Sequence, residues 1–167
     1  MSSTPYPPWL PALVSMVGSW PETEARLYAI FVRDFKVGRP RFRGLPVWWD
    51  QRILPGERYE EGFWHLVTET DRPSGDRIPD FRRAERLPWC RAAIDHASEP
   101  EVTAFDYLEG SGDLRTYLWM QPFDYVTILK RKKQRDGSDK AYFLVTAFHV
   151  GGTSTRRGLG GKLRKAV

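Results

Sequence analysis

The stretch from Tyr142 to Val150 reads YFLVTAFHV and is the last of several short apolar runs in the second half of the chain. Its β-branched and aromatic residues favour a strand. Similar runs lie at Val102–Leu108, Arg115–Met120 and Tyr125–Lys130, and turn signals such as Asp136-Gly137 separate them. These runs predict consecutive antiparallel strands.

The first half of the chain carries helix signals. Pro21–Lys36 has an apolar stripe at helical spacing, and Gly38 follows as a helix stop. Arg82–Ala97 predicts a helix in two pieces, because Pro88 fits the first turn of a helix but not its interior. Helices first and strands later predict an α+β fold, with N-terminal helices packed on a four- to five-stranded antiparallel sheet.

The length of 167 residues suits one compact domain with an appendage. We therefore expect an N-terminal helical segment over residues 1–40, the α+β domain over residues 41–150, and a flexible basic tail over residues 151–167. No apolar run reaches the ~20 residues of a membrane helix, and the start lacks the pattern of a signal peptide. The sequence thus predicts a cytoplasmic protein without a membrane partner.

Several classes of cofactor chemistry lack their motifs in this sequence. Cys90 is the single cysteine, so it can join neither an intrachain disulfide nor a pair of zinc-binding cysteines. The three histidines do not form an HExxH pair, and no phosphate-binding glycine loop opens a predicted helix. We therefore expect no metal and no cofactor.

The basic charge of the chain is unevenly distributed. The net charge is +5, and Arg156–Val167 contributes five cations and no acid, so residues 1–155 are net neutral. Within that neutral part, one basic cluster lies at Lys130–Lys133 and another at Arg82–Arg91. Such segregation favours an anionic ligand, whereas the alternative is a solvated surface whose charges balance.

His65 is the main candidate for chemistry. Phe63–Thr68 predicts a strand with His65 in its middle, and the arginine-rich helix follows after one loop. A group that titrates near neutrality, beside fixed cations such as Arg83 and Arg86, is what metal-free RNA cleavage requires. The alternatives are a core histidine bonded within the fold and arginines that form a solvated face.

The last hairpin and the basic clusters add further candidates. Thr146 is a hydroxyl among apolar neighbours in a predicted core strand, so it either bonds to backbone or faces a pocket. The expected catalytic residues are His65, Arg83, Arg86 and Thr146. The residues expected to bind RNA, by stacking or by charge, are Trp89, Arg91, Lys130, Lys132, Lys133 and Tyr142.

Four motifs carry a resemblance to known proteins. They are Tyr28-x-x-Phe31-x-x-Asp34-Phe35, Phe63-Trp64-His65, Arg83-x-Glu85-Arg86-x-x-Trp89 and the strand Tyr142–Phe148. Over residues 9–150 the chain resembles phage- and plasmid-associated toxins of the barnase/colicin/RelE-type (BECR) ribonuclease superfamily. The resemblance implies N-terminal helices on a four-stranded antiparallel sheet. It also implies metal-independent RNA cleavage, in which a ribose 2′-hydroxyl attacks its own phosphate.

The same resemblance assigns roles to individual residues. By position, His65 matches the strand histidine, Arg83 and Arg86 the helical arginines, and Thr146 the hydroxyl of the last strand. An acidic antitoxin is the partner that it implies besides RNA. Whether Glu69, Arg91 or His149 joins the active site stays open. The rival hypothesis is a non-catalytic RNA- or protein-binding phage accessory module that uses the same residues.

Overall fold

The first half of the chain contains most of the helices and four short strands, and the second half contains the longer strands. The computed structural model describes residues 4–167. Its helices are α1 Trp20–Phe31, α2 Glu61–Val67, α3 Phe81–Ala84, α4 Leu87–Asp95 and α5 Thr153–Arg164. Its strands are β1 Arg41–Phe42, β2 Leu45–Trp48, β3 Thr68–Thr70, β4 Arg77–Pro79, β5 Thr103–Leu108, β6 Leu114–Met120, β7 Tyr125–Lys133 and β8 Asp139–His149.

The main sheet is mixed and has six strands in the order β1-β2-β8-β7-β6-β5. Strand β2 runs parallel to β8, with Val47 opposite Tyr142, and the other neighbours are antiparallel. The α+β class is therefore confirmed, whereas the predicted sheet of four or five antiparallel strands is wrong. Strands β1 and β2 are too short for a clear alternating pattern, and Pro46 weakens the strand signal of β2.

A β-bulge interrupts the pairing of β7 with β8. Ile128 pairs with Thr146, but the next residue of β7 pairs with Leu144, so Val145 is an extra residue on β8. Because a bulge shifts the alternation by one residue, Leu144 and Ala147 both lie in the main core. Regular alternation along β8 therefore stops at Val145.

Four residues of the N-terminal part belong to the same buried cluster as residues of the main sheet: Leu10, Leu27, Phe31 and Phe35. Leu27 and Phe31 of α1 are fully buried, and the ring of Phe31 packs against Phe63 at 5.6 Å and Trp49 at 5.9 Å between centroids. Ser19 and Glu22 form a reciprocal N-cap for α1. Residues 11–17 have no regular secondary structure, and the Pro11 carbonyl oxygen accepts a hydrogen bond from the Trp89 indole at 2.8 Å.

Residues 151–167 were predicted to be a flexible basic tail, and in the structure helix α5 covers Thr153–Arg164 of this segment. Helix α5 places Leu159 and Leu163 against a second apolar cluster on the opposite side of the sheet from the main core. Lys162 donates to the Glu109 carboxylate at 2.9 Å and to the Tyr117 hydroxyl at 2.8 Å. The glycines of this segment weaken its helix signal, although Leu159 and Leu163 are one helical turn apart. None of the helices within residues 4–167 is long and apolar enough to cross a membrane.

Candidate functional site

A cavity of about 440 Å³ lies where α2 and α3 meet the free edge of β8. We call it the His65 cavity. Strand β2 pairs with β8 only at Tyr142 and Phe143, so the later residues of β8 are left for the helices to cover. The polar residues that line the cavity are Glu61, His65, Thr68, Glu69, Thr70, Arg77, Arg83 and Thr146.

His65 lies in the last turn of α2, so the predicted strand over Phe63–Thr68 is wrong. The side chains of Phe63, Trp64, Leu66 and Val67 are all buried, and such a helix shows no polar face in its sequence. His65 is the exception in this buried helix, because its side chain is 44% exposed to solvent.

Glu61, one turn earlier on α2, is the carboxylate partner of His65. Its Oε2 atom lies 3.6 Å from Nε2 of His65, and its side chain is 7% exposed. Arg77 of β4 donates from Nη2 to both Glu61 oxygens at 2.8 Å. This charge-assisted contact, in which one guanidinium nitrogen is shared by both oxygens, holds the buried carboxylate in place beside the imidazole. Arg77 thus contacts Glu61, and Glu61 in turn lies beside His65.

The backbone of His65 is held from the opposite side. Arg83 Nη1 donates to the His65 carbonyl oxygen at 2.9 Å, and Thr146 Oγ1 donates to the same oxygen at 3.1 Å. Asp80 caps α3 by accepting from the Arg83 backbone N–H, and it also lies 3.4 Å from Arg83 Nε. Two predicted catalytic residues therefore meet His65, and both bind its main chain.

The electrostatics of the cavity keep His65 neutral near pH 7. Burial lowers the pKa of His65 below its ordinary value of 6.5. The negative charges of Glu61 and Asp50 oppose this shift, whereas the positive charges of Arg77 and Arg83 add to it. A neutral imidazole with one face open to solvent is able to accept a proton from a bound ligand.

Arg86 and Trp89 lie outside the His65 cavity. Arg86 Nη1 donates to Glu85 at 2.5 Å and to the Arg82 carbonyl at 2.9 Å, and its guanidinium lies 5.2 Å from the centre of the Trp89 ring. Trp89 is 1% exposed. The indole is therefore a core residue and offers no free face for base stacking.

Arg91 and Tyr142 are also engaged in structural contacts. Arg91 Nε pairs with Asp95 at 2.9 Å, and its Nη1 donates to the Asp34 carbonyl at 2.5 Å. Tyr142 is 2% exposed, and its hydroxyl accepts from Arg43 at 3.3 Å. Neither side chain reaches the His65 cavity, because each one ties its own element to the rest of the fold.

The lysines at the distal end of β7 form another surface. Lys130 lies 3.2 Å from Asp113, Lys133 lies 2.5 Å from Asp139, and Lys132 lies 5.2 Å from the centre of the Phe143 ring. None of the three lines the His65 cavity. Their charges are partly balanced by nearby acids.

Of the residues left open by the sequence, Glu69 lines the His65 cavity and His149 lines a different one. Within residues 4–167, no group of three or more histidine, cysteine or acidic side chains is placed to hold a metal ion. Burial raises the pKa of the Cys90 thiol to about 12, so this cysteine is not a nucleophile at neutral pH.

Sequence reasoning missed Glu61 and Arg77. Glu61 precedes His65 by four residues, and this spacing would have paired the two side chains had the segment been read as a helix. No local signal marks Arg77, because the β3–β4 hairpin brings it to the cavity.

Comparison of the chain with models of protein families, with curated proteins and with solved structures finds no match in any of the three.

Proposed function

We propose that this protein is a metal-independent endoribonuclease whose active site is the His65 cavity. In the reaction, a ribose 2′ oxygen bonds to the adjacent phosphorus and the P–O5′ bond breaks. The 2′ proton passes to His65, and the leaving 5′ oxygen takes up a proton from solvent. The products are a 2′,3′-cyclic phosphate and a 5′-hydroxyl end.

One observation carries this proposal: a half-exposed imidazole lies inside a cavity that contains two guanidinium groups. Glu61 Oε2 lies 3.6 Å from His65 Nε2, and Arg83 donates to the His65 carbonyl oxygen at 2.9 Å. A placed proton acceptor contributes roughly 10²–10⁴ in rate. The positive charges of Arg77 and Arg83 suit a phosphate that gains negative charge in the transition state.

In this proposal the four predicted catalytic residues have different roles. His65 is the group that moves the proton. Arg83 combines a positioning contact with a positive charge at the cavity. Thr146 positions His65 through its carbonyl, and Arg86 belongs to another cavity. The toxin role and the acidic antitoxin implied by the resemblance belong to the same proposal.

The test is cleavage of an end-labelled single-stranded RNA by the purified protein in the presence of EDTA. We expect wild type to leave 2′,3′-cyclic phosphate ends and His65→Ala to lose activity by roughly 10²–10⁴. His96→Ala is the matched control, because His96 stacks on Trp9 at 4.6 Å and lines neither the His65 cavity nor the cavity of His149.

Three outcomes contradict the proposal. The first is full activity in His65→Ala, and the second is cleavage of an RNA whose 2′-hydroxyl at the cut site has been replaced by hydrogen. The third is binding of RNA without cleavage, which favours the rival binding module. Near-UV circular dichroism of His65→Ala checks that a loss of activity does not come from unfolding.

A further inference from the structure

A second cavity of about 450 Å³ contains His149, the last residue of β8. We call it the His149 cavity, and its lining includes Tyr6, Arg86, Phe123, Asp124 and His149. Like the His65 cavity, it combines an imidazole with a guanidinium from the segment that follows β4. Nothing in the proposed cleavage step uses it.

The two cavities are neighbours in the fold. Thr146 of the first cavity and His149 of the second are three residues apart on β8, so their backbones are roughly 10 Å apart along an extended strand. Arg83 lines the first cavity and Arg86 lines the second, and both come from one short helical segment. One RNA strand that runs along the free edge of β8 can therefore reach both cavities.

The charges around the His149 cavity are suited to an anion. Asp124 is the single acidic side chain of its lining, and Arg156 of α5 pairs with it. Glu85 likewise pairs with Arg86. Arg82, which is exposed and makes no ion pair within residues 4–167, lies beside Arg86 of the lining, whose Nη1 donates to the Arg82 carbonyl oxygen at 2.9 Å. The negative charges of Asp124 and Glu85 are thus balanced by arginines, whereas the positive charge of Arg82 has no acid paired with it within residues 4–167.

Tyr6 supplies an aromatic surface at the rim of the same cavity. Its side chain is 63% exposed. Its ring stands edge-on to Phe123 at 5.2 Å and to Trp89 at 5.8 Å, with interplanar angles of 71° and 74°. Two buried rings thereby hold Tyr6 in position while most of its surface stays in solvent, which is the arrangement of a stacking platform for a base.

We infer that the His149 cavity binds the nucleotide immediately outside the cleaved dinucleotide of a single-stranded RNA. The base stacks on Tyr6, and the phosphate is bound by Arg82 and His149. This inference rests on the proposed function for the position of the scissile phosphate, but the binding that it describes requires no cleavage. The substrate is therefore an RNA strand longer than a dinucleotide.

The test measures the affinity of two 2′-O-methyl RNAs, which cannot be cleaved by 2′-hydroxyl attack. One is a dinucleotide that fills only the His65 cavity, and the other is a longer oligonucleotide. We expect Tyr6→Ala to weaken binding of the longer RNA by about 5- to 150-fold, the contribution of one stacked base, and to leave the dinucleotide unchanged. We expect Arg82→Ala to reduce the salt slope for the longer RNA by about 0.7.

Matched controls come from the same chain. Leu13→Ala removes an exposed apolar side chain from the same N-terminal segment, and Arg58→Ala removes an exposed arginine elsewhere. Both should bind the longer RNA like wild type. Equal losses for the two RNAs, or an unchanged affinity in Tyr6→Ala and Arg82→Ala, overturn the inference, as does a wild type that binds neither RNA.

A kinetic arm separates this inference from the proposed function. With unmodified RNA, Tyr6→Ala should raise KM and leave kcat unchanged, whereas His65→Ala should lower kcat. If the binding results are as expected but wild type leaves unmodified RNA intact, the proposed cleavage fails and the RNA-binding cavity stands. If wild type cleaves RNA and Tyr6→Ala has the KM of wild type, the cleavage stands and the inference fails.

Discussion

The hydroxyl of Thr146 donates a hydrogen bond to the carbonyl oxygen of His65 at 3.1 Å, across 81 residues of sequence. This contact joins the last strand of the sheet to the last turn of α2. Arg83 donates to the same oxygen at 2.9 Å, so two elements hold one carbonyl. The position of the imidazole therefore depends on groups that do not touch it.

Replacing Thr146 tests this positioning role. Thr146→Val keeps the shape of the side chain and removes the donor, so we expect a loss of about 1 kcal/mol in the free energy of unfolding. We also expect kcat to fall with KM unchanged, because the ring loses its orientation and not its substrate contacts. Thr146→Ser, which keeps the hydroxyl, should restore kcat. Equal rates for Val and Ser variants would contradict the positioning role.

The pKa of His65 can be followed by NMR through its imidazole protons. Burial lowers this pKa, and Glu61 opposes the shift. We therefore expect a value below 6.5, and a still lower value in Glu61→Gln, where Arg77 also loses its partner. Glu69→Gln, a change at an exposed residue of the same cavity, is the control. A higher pKa in Glu61→Gln would contradict the pairing.

The same shift fixes the sign of two pH dependences. The folded protein holds His65 neutral where the unfolded chain binds a proton near pH 6.5, so the stability contributed by His65 decreases as pH falls below that value. Cleavage that uses neutral His65 as proton acceptor should rise with pH through the lowered pKa and then level off. Denaturant melts and a rate profile between about pH 4 and 8 measure both.

Cys90 should resist alkylation in the folded protein. It is fully buried, and burial raises the pKa of its thiol to about 12. We expect iodoacetamide to label it at pH 8 only after unfolding, since the thiolate is the reactive form. Labelling in native buffer at the rate of a free cysteine would contradict this placement.

Removal of the Leu159 side chain tests the packing of α5. This residue is 5% exposed and covers the second apolar cluster, so Leu159→Ala should cost about 2–5 kcal/mol in the free energy of unfolding. Arg157→Ala, a change at an exposed position of the same helix, should leave the melting temperature unchanged. Equal melting temperatures of the two variants would show that Leu159 does not stabilise the fold, as expected if residues 151–167 were a flexible tail.

The sequence predicted what depends on local pattern. The two-piece helix around Pro88 is confirmed, because proline acts within one turn of itself. Strands β5 to β8 are confirmed for the same kind of reason, since turn residues separate clear apolar runs. His65, the main candidate for chemistry in the sequence, lines a cavity, but it lies on a helix and not on the predicted strand.

The remaining features depend on contacts that no local pattern contains. The helix around His65 is buried on most sides, so alternation and helical spacing are equally compatible with its sequence. Trp89 suggests a stacking residue until its partners Pro11 and Tyr125 are seen around it. The Val145 bulge, which separates Thr146 from the core face of β8, follows from the register with β7.

The parallel pairing of Val47 with Tyr142 also means that the His65 cavity is completed late in synthesis. Strand β8 supplies both this pairing and the Thr146 donor, so α2 is translated before the strand that anchors it. At roughly 5–20 residues per second, β8 follows α2 several seconds later. The proposed cleavage site therefore cannot be complete until the last strand has left the ribosome.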